Sequence, residues 1–302
     1  NRGGMYIQDT GVTTYITNNT VSNNTGGDAG GIHARGYVTI SQNEVTGNSA
    51  NNGSGGIFLS SSAGDISVIS DNLIKGNSGV NGGIAVRSYS GTVTVSENKI
   101  ISNSGTQGGG IYGLSGGSGS LTIQNNVLHA NSVSGSHGNN VPAHGAALWL
   151  EARENNLSVT GNSITGHSGN SLILISCHDF GLWADNCTND SGGITSLYVP
   201  SINNNNMMNN STTYGVYDAH RDESDTVNAE SNWWGTADTT ELQTLTYDWN
   251  DDATLGLVDY TPFLTTPNTT APPSPPTNVA AQTGLTTIAL TWDANPESDI
   301  AG

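Results

Sequence analysis

Apolar residues recur two positions apart along this chain, in segments such as Val38-Thr39-Ile40 and Val93-Thr94-Val95. That spacing puts alternate side chains on opposite faces of a strand, whereas a helix needs spacings of three and four. The segments also keep a longer register. A Gly-Gly pair followed by an apolar residue occurs at Gly3-Gly4-Met5, Gly30-Gly31-Ile32, Gly55-Gly56-Ile57, Gly82-Gly83-Ile84 and Gly109-Gly110-Ile111, with Ala146-Ala147-Leu148 as a relaxed copy. After each pair comes the string apolar-x-x-Asn-x-apolar-x-x-Asn, as in Ile40, Asn43, Val45, Asn48 and in Val95, Asn98, Ile100, Asn103. One variant reads Val159, Asn162, Ile164, His167. A repeat of steps 27, 25, 27 and 27 residues, built from strands, predicts a stack of coils, each of three short strands joined by turns. About eight such coils at one strand spacing each make a rod of roughly 38 Å. Asn at a fixed place in every coil is then expected to form ladders from coil to coil, and to tolerate the left-handed turn conformation.

The chain carries Asn232-Trp233-Trp234-Gly235 and then Val258-Asp259-Tyr260-Thr261-Pro262-Phe263-Leu264. With the repeat, these residues resemble the pectate-lyase-like, right-handed parallel β-helix superfamily in its bacterial surface-protein branch, over about residues 1–265. The resemblance implies an all-β fold: a right-handed parallel β-helix solenoid of about eight coils with a C-terminal cap. The expected organisation is β-helix over 1–235, capping segment over 236–266, and a Pro-rich linker over 267–276. Residues 277–302, with Asn278-Val279-Ala280-Ala281 and Ile288-Ala289-Leu290-Thr291-Trp292, resemble the first strands of a fibronectin type III domain. They cover about a quarter of one, and Gly3 falls inside a coil, so the pattern reads as an excerpt from a longer chain.

Composition narrows the function classes. With 25 acidic residues against 7 basic ones and a net charge of -18, a nucleic-acid partner and an anionic membrane are disfavoured by repulsion. No apolar run is long enough for a membrane span, so membrane insertion is not expected. Cys177 and Cys187 bracket a polar segment and are read as a local disulfide, with two buried thiols as the alternative. The disulfide, like the resemblance, points to an extracellular or cell-surface location.

Alternation after each Gly pair assigns faces. The residues between the inward apolar ones form an outward column of Tyr6, His33, Phe58, Ala85, Tyr112, Trp149, Ile173 and Tyr217. Six of these eight are aromatic or His in a chain with 6% Phe, Trp and Tyr, an enrichment the core does not demand. Exposed rings at strand spacing suit stacking on sugars or on another protein; a self-supporting stack is the alternative. The next outward column reads Gln8, Arg35, Ser60, Arg87, Leu114, Glu151, Ile175 and Ala219. Arg35 and Arg87, two strands or about 10 Å apart, could hold carboxylates of an acidic glycan. The candidate ligand-binding set is therefore Tyr6, His33, Arg35, Phe58, Arg87, Tyr112, Trp149, Glu151 and Tyr217, with glycan or a surface protein as partner.

Three function classes follow. One is a non-catalytic binding module. Another is a polysaccharide lyase, where the resemblance implies Arg87 as base with Arg35 and His33 binding, or a hydrolase drawing on Glu151, Asp179, Asp185 and Asp218. The third is a filament or stalk subunit that self-associates end to end. No catalytic residue, metal or cofactor is assigned. Calcium is the single cofactor candidate, because Asp248-Trp249-Asn250-Asp251-Asp252 with Asp259 partly mimics a calcium loop, although Ala253 replaces the turn Gly. The insertions at 132–144 and 177–195, the second with His178, Asp179, Trp183 and Asp185, are the loops expected to overhang the aromatic face.

Overall fold

A computed structural model describes residues 3–8, 11–137, 141–142, 144–152, 157–176, 199–219, 225–293, 295 and 297. Cys177 and Cys187, read from sequence as a disulfide, and the loop between them lie outside the described residues.

The chain winds into a parallel β-solenoid. Sheet A stacks Met5–Ile7, Ile32–Arg35, Ile57–Ser61, Ile84–Ser88, Ile111–Ser115, Leu148–Ala152, Ser168–Ile175 and Ser211–Asp218. Sheet B stacks nine strands: Thr14–Thr17, Val38–Ser41, Ile66–Ser70, Thr92–Ser96, Ser120–Gln124, Leu157–Thr160, Ser201–Asn203, Thr226–Asn228 and Leu257–Asp259. Sheet C stacks seven: Thr20–Ser22, Glu44–Thr46, Leu73–Lys75, Lys99–Ile101, Val127–His129, Ser163–Thr165 and Asn206–Met208. Short strands such as Ser49–Ala50 and Ser78–Asn81 precede the Gly pairs and pair among themselves, so a coil has a fourth segment beyond the expected three. Inward apolar residues from all three sheets, Ile32, Ile40 and Val45 in one coil, then Ile84, Val95 and Ile100 in another, form one continuous core.

Two Asn ladders run along the turns. The first joins Asn19, Asn43, Asn72, Asn98, Asn126, Asn162, Asn205 and Asn232; each rung's backbone N–H and Nδ2 donate to the Oδ1 of the next, at 2.9–3.0 Å. Nδ2 also donates to the carbonyl three residues before the preceding rung, as from Asn98 to Ile69 O. One expectation is corrected. The left-handed residue is not the ladder Asn but its predecessor: Gln42, Asp71, Glu97, Asn125, Asn204 and Ser231 on the first ladder have φ of 53–60°. On the second ladder Asn23, Ser102, Ala130 and Asn209 have φ of 51–56°, and Gly47, Gly76 and Gly166 have 63–69°. The left-handed residue bends the chain, which leaves the next side chain pointing along the rod, where it can reach its neighbours.

The Gly pairs are needed for another reason. Their φ angles are not left-handed, but a Cβ on Gly31 would lie 2.4 Å from Gly56 O and 2.8 Å from Val45 Cγ1. Coil-to-coil backbone approach excludes a side chain there.

The C-terminal end is closed. Thr246–Tyr247 extends sheet A and Leu257–Asp259 extends sheet B, so the segment 236–266 adds an abbreviated coil. Ahead of both strands a short helix, Thr239–Thr244, is N-capped by Asp238, whose carboxylate accepts from Thr240 N–H, and it buries Leu242. Trp234, Leu242 and Val258 are buried at this end, with Leu245, Tyr260 and Phe263 packed against them. Gly215 makes room for Trp234: a Cβ there would lie 3.0 Å from Cζ3 of the indole. The start of the Pro-rich stretch 267–276 docks on the rod. Asn268 N–H donates to Asn206 Oδ1 at 2.7 Å, Asn206 Nδ2 donates to Asn268 O at 3.0 Å, and Ala271 is buried. Beyond it, Ala280–Thr283 and Ile288–Thr291 form an antiparallel hairpin exposed throughout.

Candidate outward face of sheet A

Parallel register sets the outward column directly. It runs Tyr6, His33, Phe58, Ala85, Tyr112, Trp149, Leu174, Tyr217, Tyr247. Two assignments change. Ile173 pairs with the inward Leu148 and Ile175 with the inward Leu150, so Leu174 and Ser176 take the outward places. The slip arises because this coil has no Gly pair: Ser168–Ile175 runs straight through the place where the Gly-pair coils bend.

The rings touch along the column. His33 lies between Tyr6, at 5.2 Å between ring centroids, and Phe58, at 4.7 Å. Tyr112 and Trp149 meet edge to face at 6.4 Å, and Tyr217 stacks parallel on Tyr247 at 4.5 Å. His144 lies 4.3 Å from the Tyr217 ring. Tyr247 continues the column into the cap. Only its pairing with Tyr217 reveals it, because it stands outside the Gly-pair register.

The expectation of a uniformly exposed face is not met. Tyr112 and Trp149 are 6% and 7% exposed, His33 and Glu151 are 3% and 1%, and Ala85, Leu114 and Leu174 are buried with them in a second apolar cluster outside the rod core. Trp149 donates its indole N–H to Ser176 Oγ at 2.6 Å, which satisfies the buried group locally. The physical cause is density: consecutive large side chains one strand spacing apart, flanked by Leu114 and Leu174, exclude water from one another. Tyr112, Trp149 and Glu151 thus form packing in the middle of the column, and Tyr217 is half-buried in the tyrosine group at its end.

The open part lies at the N-terminal coils. Tyr6 is 38% exposed, Phe58 and Arg87 are half-buried, and Arg35 is exposed with no hydrogen bond or ion pair among the described residues. Register places Arg35, Ser60 and Arg87 in one column, so the two arginines stem from positions two strands, or about 10 Å, apart along the sheet. The Arg87 guanidinium lies 5.5 Å from the centroid of the Phe58 ring, a cation–π arrangement that orients it along the face. Tyr89, two residues after Arg87, is half-buried against the same cluster.

The two acidic candidates among the described residues, Glu151 and Asp218, do not converge. Glu151 points outward opposite Leu114, while Asp218 pairs with Ile175 in an inward row and is fully buried. They lie on opposite faces of sheet A and cannot flank one glycosidic bond. Asp179 and Asp185, with His178 and Trp183, lie outside the described residues. The loop read as a calcium mimic is a set of self-satisfied turns. Asp248 Oδ1 accepts from Asn250 N–H at 2.9 Å and Oδ2 from Val258 N–H at 2.9 Å, while Asp252 Oδ1 accepts from Thr254 N–H at 3.0 Å. Among the described residues no group of three or more His, Cys, Asp or Glu side chains is arranged to hold a metal ion. Among the same residues no helix is long and apolar enough to cross a membrane.

A family model described as the right handed beta helix region matches residues 3–189. Comparison with curated proteins and with solved structures gives no match. Stacked parallel strands, two Asn ladders and a family match over more than half of the chain agree, and this chain belongs to the right-handed β-helix family.

Proposed function

We propose that this is an extracellular or cell-surface β-helix module that binds acidic glycan, without catalysis, through Tyr6, Arg35, Phe58 and Arg87 on the open coils of sheet A. The observation that carries the reading is the pair of guanidinium groups in one outward column beside accessible rings, on a chain with net charge -18. Bulk electrostatics would repel a polyanion. A rigid sheet that presents two Arg forks at fixed spacing can still engage carboxylates bidentately, while the rings cover apolar sugar faces. The fold supports kinship with the pectate-lyase-like superfamily at the level of its coils. The exposed hairpin, with Ile288, Leu290 and Trp292 on one face, is read as the opening of a fibronectin type III domain, a module that would tether the rod to neighbours.

Affinity electrophoresis through gels containing polygalacturonate, alginate or a neutral glucan tests this. The wild-type chain should be retarded by at least one acidic polymer, less so in 0.5 M salt as screening predicts. The Arg35→Ala/Arg87→Ala pair should migrate freely. No retardation by any polymer, or release of unsaturated ends from one, would contradict the reading.

A further inference from the structure

The second ladder, from Asn24 through Asn48, Asn77, Asn103 and Asn131 to Asn210, is interrupted at His167. Elsewhere each rung gives the preceding one an Oδ1, as Asn131 does for Asn103 N–H and Nδ2 at 2.9 Å each. His167 has no such oxygen. Its ring reaches back across the coil junction instead, with Nε2 3.1 Å from Leu128 O and Nδ1 3.1 Å from Asn131 O. Leu128 O is the carbonyl that an Asn side chain would take at this place, three residues before the preceding rung, as Asn131 Nδ2 takes Ile100 O.

Both ring partners are carbonyl oxygens, which only accept. A neutral imidazole has one N–H, so it satisfies one carbonyl and turns a lone pair on the other; only the doubly protonated ring donates to both. The charged form is opposed by the surroundings. The ring is fully buried, and burial pulls its pKa from 6.5 to about 4, against the two backbone hydrogen bonds and with a further downward push from His129. His129 stands on the preceding coil, its Nδ1 3.0 Å from Thr165 Oγ1, and burial lowers its pKa too. The strands packed around the ring, Val127–His129, Ser132–Val133, Ser163–Thr165, Ser168–Ile175 and Asn206–Met208, carry no Asp, Glu, Lys or Arg, so His129 is their only titratable side chain. In Ser211–Asp218 the titratable groups, Tyr214, Tyr217 and Asp218, stand beyond its first three residues. The neutral ring therefore leaves one carbonyl without a donor, and the charged ring that would serve both is opposed by burial.

We infer that the junction between the coil ending at Asn131 and the coil ending at His167 is an acid-sensitive seam, which loosens on proton uptake while the Asn-paired junctions toward the N-terminus hold. The sign follows from the depressed folded-state value. An opened junction takes up a proton near pH 6.5 and the closed one does so only near pH 4, so the contribution of His167 to closure is fully present above 6.5 and is lost as pH falls between the two. The seam lies between the open coils and the tyrosine group, so acid would uncouple the two ends of the outward column.

Hydrogen exchange of the full chain, corrected for the intrinsic effect of pH, tests it between pH 7.5 and 4.5. Amides of 127–133 and 163–168 should lose at least tenfold more protection than those of 73–79 and 99–105, and His167→Asn should abolish the difference. Equal loss at all junctions, or an unchanged difference in His167→Asn, would overturn the inference. A second measurement does not depend on any variant: the His167 ring of the wild-type chain, followed by NMR, should titrate well below pH 6. Titration at or above 6.5 would overturn it.

Discussion

Asn98→Ala should be among the most damaging single changes in the rod. Asn98 is fully buried. Its Oδ1 accepts from Asn72 N–H at 3.0 Å and from Asn72 Nδ2 at 2.9 Å, and its Nδ2 donates to Ile69 O, Ser96 O and Asn126 Oδ1. Truncation leaves the Asn72 backbone N–H buried without its acceptor, at roughly 1–3 kcal/mol, and removes further bonds worth about 0.5–1.5 kcal/mol each. Some of these losses overlap, because Asn72 Nδ2 keeps its bonds to Ile40 O and Ser70 O. A total of about 3–5 kcal/mol follows, or a melting shift on the order of 10 °C for a chain of this size. Asn51, an exposed Asn in a turn, is the control, and its replacement by Ala should stay within about 0.5 kcal/mol. Thermal melts followed by near-UV circular dichroism, read beside urea titrations, measure both. Equal small effects at Asn98 and Asn51 would refute the ladder as a source of stability and make the Asn repeat a matter of composition.

Other substitutions probe separate steps. Ala130→Gly, at φ 51°, removes the left-handed penalty and should stabilise the chain by about 1 kcal/mol in urea titrations; destabilisation would mean that the Ala methyl makes contacts worth more than the strain. Gly215→Ala puts a methyl 3.0 Å from the Trp234 indole and should cost about 1–3 kcal/mol with a red-shifted tryptophan emission, whereas an unchanged spectrum would show that the cap yields freely. His167→Asn restores the missing Oδ1 and should raise the melting temperature at pH 7 as well as at pH 5. A fall at both pH values would show that the imidazole fills its site better than the ladder amide.

Much of this fold could be read from spacing. Gly pairs and Asn strings gave the coil register because each meets a local steric or hydrogen-bonding need repeated in every coil. The left-handed positions were missed by one residue because Asn both favours that conformation and stacks in ladders, and because Gln42, Glu97 and Ala130 carry no signature of a left-handed turn. The seventh coil was read one residue out of phase, since Ser168–Ile175 lacks the Gly pair that marks the first five. Face assignment for Tyr6 to Trp149 needed only alternation, but their exposure depends on what neighbouring coils contribute, and Leu114, Leu174 and Ser176 close over Trp149 in a way the period alone does not encode. The docking of Asn268 on Asn206 joins residues far apart in sequence and had no pattern to announce it.

The proposed binding surface is the open N-terminal coils of sheet A, and not the tyrosine group at the cap. Hydroxyl-radical footprinting of the wild-type chain with and without a saturating acidic polysaccharide reports on each ring separately. Protection should concentrate at Tyr6 and Phe58, with Tyr217 and Tyr247 unchanged; protection at the cap tyrosines alone, or at no ring on sheet A, would contradict the account.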